Sequence, residues 1–288
     1  PGRAATPEAF ERTNDALRER NSAGVHDREH DLAKPAGFHR LVVLGDSFTM
    51  GEWVPLEDLF VTRLERVLNE RPGAQPVDVV SLALGGMDTR QEVALLRRQG
   101  LAYGPDAVLV VFFVNDATNL DSNPAVVRRL HDQLEQREPP LGGRSVALDR
   151  LHEWWVRRRV TRTMLRDYRD SFFGSPDQQS QWARCKKALA NLKRLSLEHR
   201  FEVGVAIFPL LLDLGEGHPL RDVYQEVAQT CEELGIPSVD LFEVFRGQDA
   251  ESLWVAPRDS HPNARANALV TPALMRFVVE AGLAPPPP

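Results

Sequence analysis

Four short polar segments of this sequence carry the residue types that acyl transfer requires. Ser47 follows one apolar run, Gly85-Gly86 follows a second and Asn115 follows a third, while His261 lies just before the last helical pattern. A serine hydroxyl becomes a nucleophile when a nearby imidazole takes its proton. The pattern therefore predicts that Ser47 is the nucleophile and that His261 is its base.

The acid that orients His261 is predicted to be Asp259, two residues before it. The imidazole needs a partner on its second nitrogen to hold the tautomer that accepts the serine proton. Three other aspartates compete for this role, namely Asp46, Asp116 and Asp240. The first two are expected to brace their loops, and the third to lie structurally at the end of a strand.

The negative charge that develops on a reacting carbonyl oxygen requires preorganised donors. We expect the backbone N–H groups of Ser47 and Gly86 and the side chain of Asn115 to form this oxyanion hole. A glycine is expected at position 86 because a side chain would block close backbone approach. The competing interpretation of Asn115 is an ordinary turn residue.

The elements that must position these residues alternate between strand and helix. Apolar runs predict strands at 41–44, 77–82, 107–114, 202–208 and 238–241, and helical patterns occur at 56–70, 89–100, 181–199, 219–234 and 263–281. This alternation predicts right-handed crossovers and a parallel five-stranded sheet in an α/β fold. The candidate residues follow strands, at the edge of the sheet where such folds bind ligands.

Three further segments complete the predicted organisation of the chain. Residues 1–38 form an N-terminal arm with one helical stretch at 8–20, the catalytic domain spans 39–283, and 284–288 is a proline-rich tail. Residues 119–180 interrupt the alternation with helical, charged and aromatic sequence, and are predicted to form an inserted helical cap.

The segment GDSFTMG at 45–51 resembles the first block of the SGNH, or GDSL, hydrolase superfamily. The second-block glycine of that family corresponds to Gly86 within SLALGGMDTRQ, its GxND asparagine to Asn115 within FVND, and its last-block histidine to His261 within DSHPN. The resemblance covers roughly 38–118 and 200–282. It implies a flavodoxin-like, three-layer α/β/α fold and a serine esterase that uses no cofactor.

Two positions depart from the family pattern. Phe113 occupies the position of the GxND glycine, and Arg258 occupies the aspartate position of the common DxxH spacing. The DxH spacing of Asp259 and His261 resembles alginate O-acetyltransferase-like members of the superfamily. This similarity adds acyl transfer to a sugar hydroxyl as an alternative to hydrolysis.

Composition restricts the class of protein and its partners. The net charge of −6 over 288 residues argues against nucleic acid as a partner. The two cysteines, Cys185 and Cys231, are far apart and indicate neither a metal site nor a disulfide framework. No apolar run is long enough to span a membrane. Because the chain begins with Pro1, we expect a preceding segment to have been removed, which favours a secreted, periplasmic or membrane-anchored protein over a cytoplasmic one.

The leading hypothesis is a serine esterase that hydrolyses an O-acyl ester of a carbohydrate or a small molecule. The alternatives are an O-acyltransferase with the same residues and an inactive binding module on the same scaffold. The basic and aromatic segment from Trp154 to Arg169 is either a solvated helix or a lid that meets sugar rings, an anionic polymer or a lipid surface. His218 is expected in a solvated loop, with a place beside the site as the competing hypothesis.

Overall fold

Strand β1 (His39–Gly45) lies inside a parallel sheet, with the residues from Arg40 onward buried. The computed structural model describes residues 20–118, 146–257 and 259–286. The other strands of the sheet are β2 (Val77–Ala83), β3 (Ala107–Phe112), β4 (Glu202–Ile207) and β5 (Ser238–Asp240). All pairings are parallel and the strand order is β2-β1-β3-β4-β5. This is the flavodoxin-like order, so the predicted α/β fold is confirmed.

Helices flank the sheet, which explains why a central strand such as β3 is apolar along its whole length. The helices are α1 (Ser47–Met50), α2 (Phe60–Asn69), α3 (Thr89–Arg98), α4 (Val146–Phe173), α5 (Ser180–His199), α6 (Arg221–Glu233), α7 (Phe242–Phe245) and α8 (Ala264–Glu280). Helix α2 packs against α8, and α3 packs against α5. No described helix combines the length and apolar character needed to cross a bilayer.

Two elements have different bounds from those that the sequence pattern predicts. The helix expected at 56–70 is a 3-10 turn (Leu56–Asp58) followed by α2, because Leu59 has an extended backbone conformation between them. The strand expected at 107–114 ends at Phe112, and Val114–Ala117 forms a 3-10 turn. This turn redirects the chain at the carboxyl edge of the sheet.

The segment before α8 forms two short strands, which the sequence pattern does not predict. Strands β6 (Trp254–Ala256) and β7 (Asp259–Pro262) form an antiparallel pair with an irregular register. The Asn263 side chain donates to the Ser252 and Trp254 carbonyls and caps the first turn of α8. A hairpin, rather than a free loop, therefore carries His261.

The described part of the predicted arm, 20–38, lies against the sheet. His30 Nδ1 lies 2.9 Å from the carboxylate of Asp78 on β2. The Nδ1 of His26 lies 3.0 Å from the carbonyl oxygen of Met50, the last residue of α1. Residues 1–19 and 119–145 lie outside the described residues, so the predicted arm, cap and tail boundaries stay predictions.

Candidate active site

Helix α1 begins immediately after β1 and places Ser47 at its first position. Asp46 caps this helix, because its carboxylate accepts a hydrogen bond from the N–H of Phe48 at 2.8 Å. Its carbonyl accepts from the N–H groups of Thr49 and Met50. None of these capping bonds uses the N–H of Ser47. This N–H lies in the first turn of the helix, where backbone N–H groups have no partner within the helix.

A glycine is required directly before this cap. A Cβ at Gly45 would lie 2.1 Å from the Oγ1 of Thr49. The helix could therefore not turn so closely away from β1 with any other residue at this position. The tight turn exposes the half-buried Ser47 at the carboxyl edge of the sheet.

The hairpin brings an imidazole to this serine. The Nε2 of His261 lies 2.9 Å from the Oγ of Ser47. The Nδ1 of His261 lies 2.5 Å from a carboxylate oxygen of Asp259, which also accepts the N–H of His261. The structure thus places a hydroxyl, an imidazole and a carboxylate in the order that nucleophilic catalysis uses.

The environment of Asp259 favours its ionised form. Burial acts to raise the pKa of this carboxyl, but its hydrogen bond to His261 and the imidazole charge outweigh burial, so the pKa lies below its ordinary value. A carboxylate that accepts from Nδ1 keeps the proton on that nitrogen and leaves Nε2 as the acceptor towards Ser47. Both Asp259 and His261 are partly exposed, with about a third of each side chain accessible to water.

The turn after β3 places Asn115 beside the cap of α1. Its Nδ2 donates a hydrogen bond to the Asp46 carboxylate at 2.8 Å, and the residue is buried. The positions of Ser47 and Asn115 follow from the strand order, because β1 and β3 are neighbours at the switch point of this topology. The Asp46 carboxylate consequently binds both the helix of the serine and the turn of the asparagine.

The glycine pair after β2 approaches the serine, but for a different reason than expected. Gly86 has a φ of 73°, and a Cβ there would meet no atom within 4 Å. The left-handed backbone conformation, rather than close packing, requires glycine at this position. At Gly85 a Cβ would lie 3.9 Å from the Cβ of Ser47, which brings the pair beside the serine.

Two of the competing aspartates have structural partners. Asp240 accepts hydrogen bonds from Arg221 and from the N–H of Phe242. Asp116 accepts from the Oγ1 of Thr89 at 3.0 Å. None of these hydrogen bonds involves His261.

His218 is not in a solvated loop, and the structure corrects this expectation. The residue is buried, and its two ring nitrogens lie near the carbonyl of Leu210 and the N–H of Leu220. Burial lowers the pKa of this imidazole. His218 therefore supports the segment after β4 and does not line the site.

Phe113, which replaces the glycine of the family pattern, forms an aromatic stack under the site. Its ring lies parallel to that of Phe48, with centroids 3.7 Å apart. The ring of Phe48 lies 5.2 Å from that of His261. The substitution therefore adds a ring that packs on Phe48, which in turn lies beside the imidazole.

Sequence reasoning missed two buried side chains near the site. Glu92 on α3 is fully buried, and burial and the nearby carboxyl group of Asp46 raise its pKa. Burial and the charge of Glu92 in turn raise the pKa of Asp116. Cys185 on α5 lies 3.2 Å from the Oγ1 of Thr89. The sequence indicates the burial of Glu92 only through the helical pattern at 89–100, in which position 92 lies close to the buried Val93 and Leu96.

Helix α4 presents a basic face to solvent. Its exposed residues, among those whose side chains the structure describes, are Trp155, Arg158, Arg159, Arg162, Arg166, Arg169 and Phe173. These residues recur at helical spacing on one side of the helix, and we call them the arginine face. The opposite side packs Tyr168 and Phe172 into the protein, and α4 contacts the turn that carries Asn115.

Among the described residues, no three histidine, cysteine, aspartate or glutamate side chains form a group that could hold a metal ion. Arg258 lies outside the described residues.

Solved structures show the same fold at low sequence identity. TesA has a TM-score of 0.52 and 13% identity, with 84% of this chain and 99% of that chain covered. The psychrotrophic esterase EstA from Pseudoalteromonas sp. has a TM-score of 0.50 and 13% identity, covering 84% and 97%. Axe2, an acetylxylan esterase from Geobacillus stearothermophilus, has a TM-score of 0.50 and 16% identity, covering 83% and 94%. At these identities the likeness establishes the fold alone.

The family comparison reaches further than the fold. A search of curated protein sequences returned no match. The sequence model of the GDSL-like Lipase/Acylhydrolase family matches residues 43–269, which is well over half of the chain and includes every candidate site residue. The chain therefore belongs to the GDSL-like lipase/acylhydrolase family of hydrolases.

Proposed function

We propose that this protein is a serine esterase that hydrolyses O-acyl esters through an acyl-Ser47 intermediate. The observation that carries the proposal is the continuous contact from Ser47 Oγ to His261 Nε2 and from His261 Nδ1 to Asp259. Ser47 begins a helix and lies beside Gly85, and the carboxamide of Asn115 is bonded to Asp46, the residue before the serine. These are the groups that acyl transfer through a serine uses.

In the first half of the reaction, the Oγ of Ser47 attacks the ester carbonyl while Nε2 of His261 takes its proton. Asp259 stabilises the imidazolium that forms. The N–H groups of Ser47 and Gly86 and the Nδ2 of Asn115 stabilise the negative oxygen. When the tetrahedral intermediate collapses, His261 returns the proton to the departing alcohol, and the acyl group stays on Ser47.

In the second half, water replaces the alcohol. His261 takes a proton from the water, the hydroxide attacks the acyl carbonyl, and the acid leaves as Ser47 recovers its proton. Hydrolysis is favoured over transfer because about a third of the His261 side chain is accessible to water. A transferase must instead exclude water from its acyl intermediate.

A fluorophosphonate probe tests the proposed nucleophile directly. We expect covalent labelling at Ser47, detected by peptide mass spectrometry, and competition by a short-chain p-nitrophenyl ester. Labelling of a different serine would contradict the proposal.

An acceptor experiment separates the esterase from the acyltransferase. The DxH spacing motivates the second candidate, in which a sugar hydroxyl resolves the same intermediate. We expect the rate of acid release from an acetyl ester to stay constant as a carbohydrate acceptor is added. Formation of acetylated acceptor at the expense of free acetate would favour the transferase. If the chain neither hydrolyses nor transfers, an inactive binding module is the remaining candidate.

The Asn115→Ala variant should lower kcat about 10²-fold or more with little change in KM, because the donor acts mainly in the transition state. The measurement is steady-state hydrolysis of a p-nitrophenyl ester. Asn69→Ala is the matched control for loss of a carboxamide, since the Asn69 side chain bonds to the backbone of Val77 at the start of β2, away from Ser47 and His261. An effect of Asn115→Ala on KM alone would make Asn115 a substrate contact instead.

We further propose that the arginine face binds acidic groups of an ester-bearing carbohydrate. The face runs along α4 for about 27 Å, from Trp155 to Phe173, and its guanidinium groups match carboxylates in geometry and charge. Arg159 lies over the ring of Trp155 at 5.5 Å. A polymer is favoured over a lipid surface because only the two ends of the face are aromatic, which leaves no continuous apolar strip to insert.

Neutralising Arg159, Arg162 and Arg166 to Gln together should raise KM for an acetylated polyuronate about tenfold and leave p-nitrophenyl acetate hydrolysis unchanged, because three charge-assisted contacts are lost. The same KM should rise with salt in the parent chain. Arg66→Gln with Arg194→Gln, two exposed arginines on other helices, is the control. An unchanged KM together with binding to anionic vesicles would point to a membrane instead.

A further inference from the structure

A group of buried carboxyl side chains lies behind the turn that carries Asn115. Asp46, Glu92 and Asp116 are each buried, with exposures of 0%, 0% and 4%. They come from three different elements, namely the end of β1, the first turns of α3 and the 3-10 turn after β3. Among the described residues, neither Glu92 nor Asp116 has an ion-pair or hydrogen-bonded cation.

The three carboxyl groups differ in the number of hydrogen-bond donors that contact them. Both oxygens of Asp46 accept N–H hydrogen bonds, one from Phe48 and one from Asn115, each at 2.8 Å. Neither oxygen of Glu92 has a hydrogen-bond partner within the described part of the chain, and one oxygen of Asp116 also lacks one there. Because a buried carboxylate without donors is costly, this pattern fits an ionised Asp46 next to two neutral acids.

The electrostatic surroundings support the same assignment. Burial raises the pKa of Glu92 well above its ordinary value, and the carboxyl groups of Asp46 and Asp88 raise it further. Burial also raises the pKa of Asp116, with Glu92 and Asp46 adding to the effect. The facing group from α5 is the Cys185 thiol, whose pKa burial also raises. Within the described part of the chain, no cation contributes to the pKa shift of Glu92.

We propose that Glu92 is a positioning residue for the oxyanion donor, and that its neutral form allows the Asp46 carboxylate to hold Asn115 and the first turn of α1 in place. This role rests on the proposed function, since Asn115 acts there on the developing oxyanion. When Glu92 loses its proton, a second negative charge forms beside Asp46 in a buried environment. Repulsion between the two charges then displaces the acceptor that holds both Nδ2 of Asn115 and the N–H of Phe48.

The first test compares kcat and KM of the parent chain and Glu92→Gln from about pH 6 to about pH 10. Gln resembles the neutral acid in shape and cannot ionise. We expect kcat of the parent chain to fall about tenfold or more on the alkaline side while KM changes less than about twofold. In Glu92→Gln, kcat at neutral pH should stay within about threefold of the parent value and should persist to higher pH.

The matched control is Glu92→Asp, which keeps an ionisable acid at the position and should keep the alkaline fall. Asp116→Asn removes a neighbouring acid but leaves Glu92 ionisable, so it should keep the alkaline fall as well. Glu92→Leu is a second charge-free variant at the position itself, and it serves if Glu92→Gln does not fold. Alkaline profiles that coincide in the parent chain and in the charge-free variant would overturn the positioning role.

The second test is independent of activity. The folded-state pKa of Glu92 lies above its unfolded value of 4.5, so the folded chain binds more protons between these two values. The free energy of unfolding contributed by this group therefore falls as pH rises above about 4.5. Glu92→Gln lacks this loss, so its Tm relative to the parent chain should increase with pH. A Tm difference that is constant with pH would overturn the neutral state of Glu92.

The two proposals can fail separately. A chain that hydrolyses no ester and takes no fluorophosphonate label at Ser47 contradicts the proposed function, and the positioning role is contradicted with it. A chain that is active and labelled, but whose variants share one alkaline profile, contradicts the positioning role alone.

Discussion

In the Ser47→Ala variant, we expect ester hydrolysis to fall about 10⁴-fold or more, to a residual rate that does not depend on the other two residues of the triad. The reason is that the variant lacks the hydroxyl that lies 2.9 Å from Nε2 of His261. His261→Ala should cause a loss of similar size, because the hydroxyl then lacks a base. The measurement is steady-state turnover of a short p-nitrophenyl ester, with the folded fraction checked by circular dichroism.

The matched control for this prediction is Ser260→Ala, which removes a partly buried serine from the same hairpin. Its turnover should remain within about threefold of the parent value, since its hydroxyl takes no part in the chemistry. Folded Ser47→Ala protein with near-normal hydrolysis would contradict the mechanism outright.

The Asp259→Asn variant should lower kcat about 10²-fold or more with the fold intact. An asparagine has the same shape, but it can present its NH₂ group to Nδ1 of His261 and so favour the tautomer that carries its proton on Nε2. That tautomer cannot accept the proton of Ser47. The measurement is kcat for a p-nitrophenyl ester, compared with the midpoint of thermal unfolding.

Three aspartate variants provide the comparison for this second prediction. Asp240→Asn should cost stability rather than kcat, because Asp240 pairs with Arg221 and accepts the N–H of Phe242. Asp46→Asn should lower kcat through loss of the acceptor that holds Asn115, and Asp116→Asn should retain activity. If Asp259→Asn keeps most of its activity while Asp240→Asn or Asp116→Asn loses it without unfolding, another residue orients His261.

Much of the fold could be predicted from the sequence because its signals are local. Strands buried on both faces must be continuously apolar, so runs such as 41–44 and 107–112 identified the sheet. The glycine, aspartate and serine at 45–47 form a cap and a tight turn through contacts within a few residues. Ser47 and His261 could therefore be chosen from the residue types that follow strands and precede helices.

The boundaries of these elements and the residues that they contact were harder to predict from the sequence. Leu59 interrupts a helical pattern because its backbone is extended, which the periodicity of the side chains does not reveal. The hairpin that carries His261 pairs two short and largely polar segments, and such pairing depends on neighbours rather than on propensity. His218 resembles a loop residue in sequence, although the fold buries it.

The sequence by itself determined the fold class, the residue types of the site and the order in which they occur along the chain. Only the tertiary structure decided that Asp259 contacts the imidazole, whereas Asp116 and Asp240 have other partners. It also decided that Glu92 is fully buried beside Asp46. The physical reason is that capping and hydrophobic burial act over a few residues, whereas the contact between Ser47 and His261 joins residues 214 positions apart and depends on the order of the strands.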